Sequence, residues 1–169
     1  MDKEDNIKYN FYKSDSKWAY NKLGSDGIKE VMRQMLLARH FDVRAESAYQ
    51  MGKMGGFFHA SIGKEAVDAA AVSAFGPDNW YIATYRCHAL SVMLGGNINE
   101  LMAELYGKAT GIVKGRGGSM HLCLDNMLGG FGIVGGHLPI AAGAGFSIKY
   151  LQSKDRKLAI CFLGEGAVA

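Results

Sequence analysis

Six apolar residues without a polar break, LAICFL at 158–163, constrain this chain more than any other stretch, and Gly164-Glu165-Gly166 follows them directly. A strand with one wet face alternates apolar and polar residues. An unbroken run of this length therefore suits a strand covered on both faces, as in a parallel sheet. WYIAT at 80–84 reads as a second short strand, ending at Tyr85-Arg86. The intervening stretches have helical periodicity. Ile28, Val31, Met32, Met35, Ala38, Phe41 or Asp42, Ala45 and Tyr49 predict a helix to about Met51, with Ser25 or Asp26 as N-cap and Gly52, Gly55 and Gly56 as terminators. A second helix over 63–75 places Val67, Ala70, Ala71, Ala74 and Phe75 on one face, before the turn GPDN. A third, over 98–106, carries Ile98, Leu101, Met102, Leu105 and Tyr106, with Asn97 and Glu100 resembling a capping box and Gly107 at the C-terminal cap. Pro139 opens a fourth, through about Leu151, whose small residues 141–145 predict a helix buried against a neighbour. Helices alternating with short apolar strands predict an α/β layered fold with a parallel sheet and helices on both faces.

A length of 169 residues suits one domain with a real core. It is expected over 25–169, after an N-terminal arm at 1–24 whose scattered aromatics pack on something. A net charge of +3 spread along the chain argues against nucleic acid as a partner. No stretch approaches the roughly 20 apolar residues of a membrane span, and the polar N-terminus lacks the apolar core of a signal peptide, so a cytoplasmic protein is expected. Cys87, Cys123 and Cys161 are odd in number and widely spaced, suggesting neither disulfides nor zinc. They read as small core residues.

Several stretches have the residue types of a ligand site. GGFGIVGG at 129–136 contains a formal G-x-G-x-x-G at Gly130, Gly132 and Gly135. A dinucleotide fingerprint needs a strand directly before it, and LDNML is not a convincing one. The motif thus reads either as a loop letting two layers approach or as a loop for some other ligand. KGRGGSMH at 114–121 suits an anion-binding loop or a mobile surface loop. Arg86, at a strand's carboxyl end, suits bidentate phosphate binding or a surface ion pair. His59 and His121 follow glycine-containing approaches, His40 reads as structural, and no histidine pair has metal-ligand spacing. Ser61 and Ser119 lack a nucleophile elbow, which argues against a serine hydrolase. Glu165 suits Mg²⁺ beside a diphosphate, or an acid at the start of a helix.

These stretches occur in a recognisable order: GFFHASIGKEA, YIATYRCHA, ELYGKATGIVKGRGGSMHL, GGFGIVGGHLPIAAGAG and ICFLGEGA. From about Ile28 onward they resemble the N-terminal half of the alpha subunit of thiamine-diphosphate-dependent 2-oxo acid dehydrogenases, in the pyruvate and acetoin dehydrogenase branch. The resemblance implies a thiamine-diphosphate-binding fold, here truncated. It implies that Tyr85 and Arg86 contact the diphosphate, that Gly132 and Val134 lie against the aminopyrimidine, and that His59 is close to the reacting centre. Gly164, Glu165, Gly166 and Ala167 match a Gly-Asp-Gly-Ala motif whose acid binds Mg²⁺, with Glu165 one methylene longer than the family's Asp. The 114–121 loop matches a segment near the active-site entrance.

The implied reaction is decarboxylation of a 2-oxo acid, or cleavage of acetoin, with transfer of the acyl unit to lipoamide. The implied partners are a beta subunit, in an α2β2 heterotetramer, and a lipoyl-bearing acyltransferase. The remaining metal ligands are expected beyond residue 169, so this chain alone is expected to be inactive. A second reading is a degenerate binding protein that keeps the interface without the metal site.

Overall fold

The computed structural model describes residues 16–155 and 158–168. The chain divides into two units, Met1–Glu30 and Val31–Ala169. Helix α1 (Ser16–Gln50) begins earlier than its apolar spacing predicts, but it is broken at Gly24, whose φ of 68° and ψ of 176° are not helical. The helical run resumes at Ser25, the expected N-cap position. Of the expected arm, residues 1–15 lie outside the described residues, and the rest is helical from Ser16 onward. Gly52, with φ of 70°, ends α1 as expected.

In the second unit, α2 (Glu65–Phe75), β1 (Trp80–Thr84), α3 (His88–Met93), α4 (Ile98–Leu105), β2 (Met127–Phe131), α5 (Leu138–Tyr150) and β3 (Ala159–Cys161) follow in order. The three strands form one parallel sheet in the order β2-β1-β3, which is the expected α/β architecture. Trp80 pairs with Ala159 and Ile82 with Cys161 on one side of β1, and Ile82 pairs with Gly129 on the other. Tyr81, Ile82 and Ala83 are fully buried in succession. Successive strand residues point to opposite faces, so both faces of β1 are covered, as an apolar run without alternation requires. Strand β2 corrects the reading of LDNML at 124–128 as no convincing strand, since it begins at Met127 within that stretch. MLGGF has no side-chain alternation, and its strand character comes from backbone pairing with β1.

Asn97 caps α4 by accepting from the amides of Asn99 (2.9 Å) and Glu100 (3.3 Å), and Gly107 takes φ of 66° after it. The α2 face is not the one its apolar spacing suggests. Val67 and Phe75 are exposed, while Glu65, Asp68 and Ala69 are buried. Of α5, only Ala144 is buried, and Phe146 and Tyr150 stack on one another at 5.7 Å while remaining exposed. The expected burial of its small-residue stretch is confined to the side toward β3, where a Cβ on Gly145 would lie 4.0 Å from Ala159. Of the three cysteines only Cys87 is buried, and burial pushes its thiol up to about 12.

Candidate functional site

The strand order reverses between β1 and β3, because the chain leaves β1 for β2 on one side and returns to place β3 on the other. Open α/β sheets bind ligands in the crevice outside the carboxyl ends of strands at such a point. A cavity of about 540 Å³ lies there. It is lined by Thr84 at the end of β1 with Tyr85 and Arg86 after it, by Phe131 at the end of β2 with Ile133, Val134, Gly135 and His137 after it, by residues 162–167 after β3, and by Lys64 and Val67 at the start of α2. Seven of the nine residues expected at a site, Tyr85, Arg86, Val134, Gly164, Glu165, Gly166 and Ala167, therefore share one cavity. Gly132 and His59 sit beside it. A Cβ on Gly132 would lie 3.4 Å from Nε2 of His121, and the His59 ring meets Tyr85 edge-on at 4.7 Å.

Backbone approach explains the glycines. A Cβ on Gly135, with φ of 76°, would stand 3.3 Å from the Ala167 carbonyl oxygen, and one on Gly166 would stand 3.9 Å from Val134 Cγ1. The loop after β2 and the short 3₁₀ turn Glu165–Ala167 thus close against each other, tightly enough at Gly135 that a side chain there would press on the Ala167 carbonyl, whereas a Cβ on Gly166 would make an ordinary contact. The Glu165 carboxylate is exposed on this turn. Arg86 is also exposed. It donates from Nη1 to the Ala60 carbonyl at 2.5 Å and forms no ion pair with the described residues. Most of its fork stays available to an anion.

Behind the cavity lies a buried polar hub that the sequence did not reveal. Asp42 Oδ1 is 2.6 Å from His88 Nδ1, and His88 Nε2 is 2.9 Å from both Oγ and the carbonyl oxygen of Ser119. Asp42 Oδ2 accepts from the amide (2.6 Å) and hydroxyl (2.8 Å) of Ser61, whose Oγ accepts from the Ala89 amide. The His59 amide donates to Ser119 Oγ at 3.0 Å. An Asp–His–Ser chain has the spacing of a hydrolytic triad. Here Ser119 is 8% exposed, and its Oγ is engaged by both His88 and the His59 amide. The hydroxyl is thus committed inside the protein, and these bonds tie the His59 backbone to the 114–121 loop. The signal available in the sequence was Asp42 on the apolar face of α1, since a buried carboxylate needs partners. Burial lowers the His59 imidazole below its usual range, with Arg86 and then His88 adding to the effect. Its Nδ1 is buried without a partner among the described residues.

Of the two readings of the KGRGGSMH loop, its backbone N–H groups do approach a carboxylate, but one from the protein itself rather than from a ligand. Fully buried Glu104 of α4 accepts from the amides of Val113 (3.0 Å), Gly115 (2.8 Å), Gly117 (2.6 Å) and Gly118 (3.3 Å). Those N–H groups already hold an anion, and it is a side chain of the same protein. Glycine is required where the loop touches Glu104, since a Cβ on Gly111 would lie 2.6 Å from its Cα.

On α2, Arg39 grips Glu65 with Nε at 2.5 Å and Nη2 at 2.9 Å, holding that carboxyl below its usual range. Lys64 pairs with Asp68, whose carboxyl is pushed up by burial against the opposing pull of the lysine. These pairings put acids rather than alanines on the buried face.

The chain matches the dehydrogenase E1 component family over residues 32–169. It is 40% identical over 151 residues to the pyruvate dehydrogenase E1 component subunit alpha of Rickettsia prowazekii, covering 88% of this chain and 45% of that protein. It is 36% identical over 140 residues to the mitochondrial pyruvate dehydrogenase E1 component subunit alpha of Chaetomium thermophilum (83% of this chain, 34% of that protein). To the mitochondrial counterpart in Schizosaccharomyces pombe it is 40% identical over 134 residues (79% and 32%). The chain thus spans between about 32% and 45% of the length of these relatives. The two fungal names overturn the expectation of a cytoplasmic protein, because similar chains belong to mitochondria. That expectation rested on a missing apolar leader, and mitochondrial leaders are amphipathic and Arg-rich rather than apolar.

Proposed function

The chain belongs to the dehydrogenase E1 component family, and from that premise we propose that its cavity holds thiamine diphosphate, the cofactor on which this family depends. As an alpha subunit it would act on pyruvate, the substrate in its relatives' names, and pass the acyl unit to lipoamide. Its partners would be a beta subunit and a lipoyl-bearing acyltransferase. One observation carries the reading: segments from the ends of three parallel strands converge on one cavity containing an exposed arginine and a single acid. When bound, the cofactor supplies a carbon nucleophile and an electron sink for loss of CO₂.

The chain's own groups supply binding and placement. Arg86 offers its free N–H groups to the diphosphate, and Tyr85 packs beside it. Gly164 and Gly166 let the backbone come close to the same group. Glu165 presents its carboxylate at the diphosphate end, a donor set that suits Mg²⁺, which takes one or two carboxylates and completes its shell with phosphate oxygens and water. Val134, 58% exposed on the cavity wall, offers an apolar surface for the ring system, and Gly132 keeps the backbone open to it. His59, edge-on to Tyr85, would stand toward the reacting end, with its proton affinity lowered by burial and then by Arg86.

Titration with thiamine diphosphate and Mg²⁺, followed by the fluorescence of the two tryptophans, Trp18 and Trp80, tests this. Saturation in the micromolar range is expected, weakened about tenfold or more in Arg86→Gln, the size of a lost charge-assisted contact. Flat traces for the unmodified chain, alone and with a beta subunit, overturn the reading.

A further inference from the structure

Asp68 is fully buried, yet only Oδ1 has a partner, the Lys64 ammonium, and Oδ2 has none among the described residues. A half-satisfied buried carboxylate is costly, and a helix facing water has no need of one. Lys64 explains it. The lysine side chain is 25% exposed, lines the cavity, and has its Nζ 4.7 Å from the centroid of the Phe162 ring at the end of β3. An exposed lysine at the start of a helix would sweep through solvent. This one is held from below by Asp68 and from the side by Phe162, which directs an ammonium with two unused N–H bonds along the cavity wall. The charged groups of that wall are Lys64 from α2, Arg86 from β1 and Glu165 from the turn after β3.

We propose that Lys64 is a second cationic ligand for the diphosphate group, acting from the α2 side while Arg86 acts from the β1 side, with Asp68 as its positioning residue. This rests on the cavity's being the cofactor site. The diphosphate and the Glu165 carboxylate together carry more negative charge than Mg²⁺ and one arginine balance. A second cationic side chain fixed by a buried partner corrects that imbalance without reorganising on binding. Because Lys64 is a compact point charge, it attracts phosphate oxygens without imposing the planar geometry of Arg86.

Calorimetric titration of the full chain with inorganic diphosphate, thiamine diphosphate and unphosphorylated thiamine tests this in the unmodified protein and in Lys64→Gln, Lys64→Arg and Arg86→Gln. Lys64→Gln is expected to weaken both phosphorylated ligands about tenfold, with Lys64→Arg recovering most of the loss and thiamine itself unaffected. In the unmodified chain, saturating diphosphate is expected to slow acetylation of Lys64 by acetic anhydride several-fold, a readout that survives even if a variant misfolds. Unchanged affinities in Lys64→Gln beside a loss in Arg86→Gln, or an unprotected Lys64, overturn the proposal and leave the cofactor reading intact. Binding of inorganic diphosphate without thiamine diphosphate overturns the cofactor reading and leaves Lys64 an anion ligand. Binding of neither overturns both.

Discussion

Behind the cavity, Asp42, His88 and Glu104 are buried and every polar atom of their side chains has a partner; at its rim, Arg86, Val134 and Glu165 are exposed and hold few bonds or none. Both regions are polar and glycine-rich, but their groups are arranged for different ends. The hub joins α1, the 59–61 segment, α3 and the 113–119 loop by bonds that shield one another from water, so its contribution is rigidity. The rim keeps its donors and acceptors open, which costs little in stability because water satisfies them. A site of this kind is preorganised from behind and left vacant in front.

The widest gap between the two regions should appear at Glu104. Glu104→Ala strands four half-buried amides at up to about 1–3 kcal/mol each, some of it recovered by water and relaxation. We expect a chain that barely folds, seen as lost cooperativity in urea denaturation followed by circular dichroism; a midpoint near that of the parent would show that the loop is held some other way. Asp42→Ala should cost about 3–5 kcal/mol, since it leaves His88 and Ser61 buried without their shared acceptor. Hydrogen exchange at the His59 amide should accelerate in this variant, because Ser119 loses its brace, and an unaltered rate would detach His59 from the hub.

The two acids of α2 sharpen the comparison through pH. The folded Glu65 carboxyl lies below its usual 4.5, so its stabilising effect is complete above that pH and disappears as the pH falls through the folded value. Asp68 has the opposite sign. Its folded carboxyl lies above the usual 3.8, so its ionisation works against the fold as the pH rises through the folded value. Urea midpoints measured between about pH 3 and 7 should therefore lose part of their acid-side fall in Glu65→Gln, and should rise at neutral pH in Asp68→Asn relative to the parent. Matching profiles in the two variants would refute the assignment.

A smaller effect is expected at His59, whose imidazole resonances should titrate below 6.5 by NMR. Arg86→Gln should move that midpoint only part of the way back, because burial is the larger cause. Smallest in stability is Val134→Ala, within about 0.5 kcal/mol as for an exposed rim residue, while affinity for thiamine diphosphate should fall. A destabilisation of the size seen in the hub would mean that the rim is structural too.

Much of this fold could be read in advance where chemistry acts over a few residues. Two unbroken apolar runs specified parallel strands, Asn97 specified the start of α4, and Gly52 and Gly107 marked helix ends. Gly164-Glu165-Gly166 after an apolar run pointed to a ligand site, and the structure places that segment at a strand's carboxyl end. Tertiary structure alone decided the rest. MLGGF has neither alternation nor β-branched side chains, so only its ladder with β1 makes it a strand. The alanine-rich spacing of α2 named the wrong face because the pairing of Glu65 with Arg39, 26 residues away, outweighs the small gain from burying alanine. Asp42 meets His88 across 46 residues and His88 meets Ser119 across 31, distances over which composition and periodicity carry no information. Local patterns report what a residue prefers; the three-dimensional fold determines which buried charges find partners, and those pairings position the groups around the cavity.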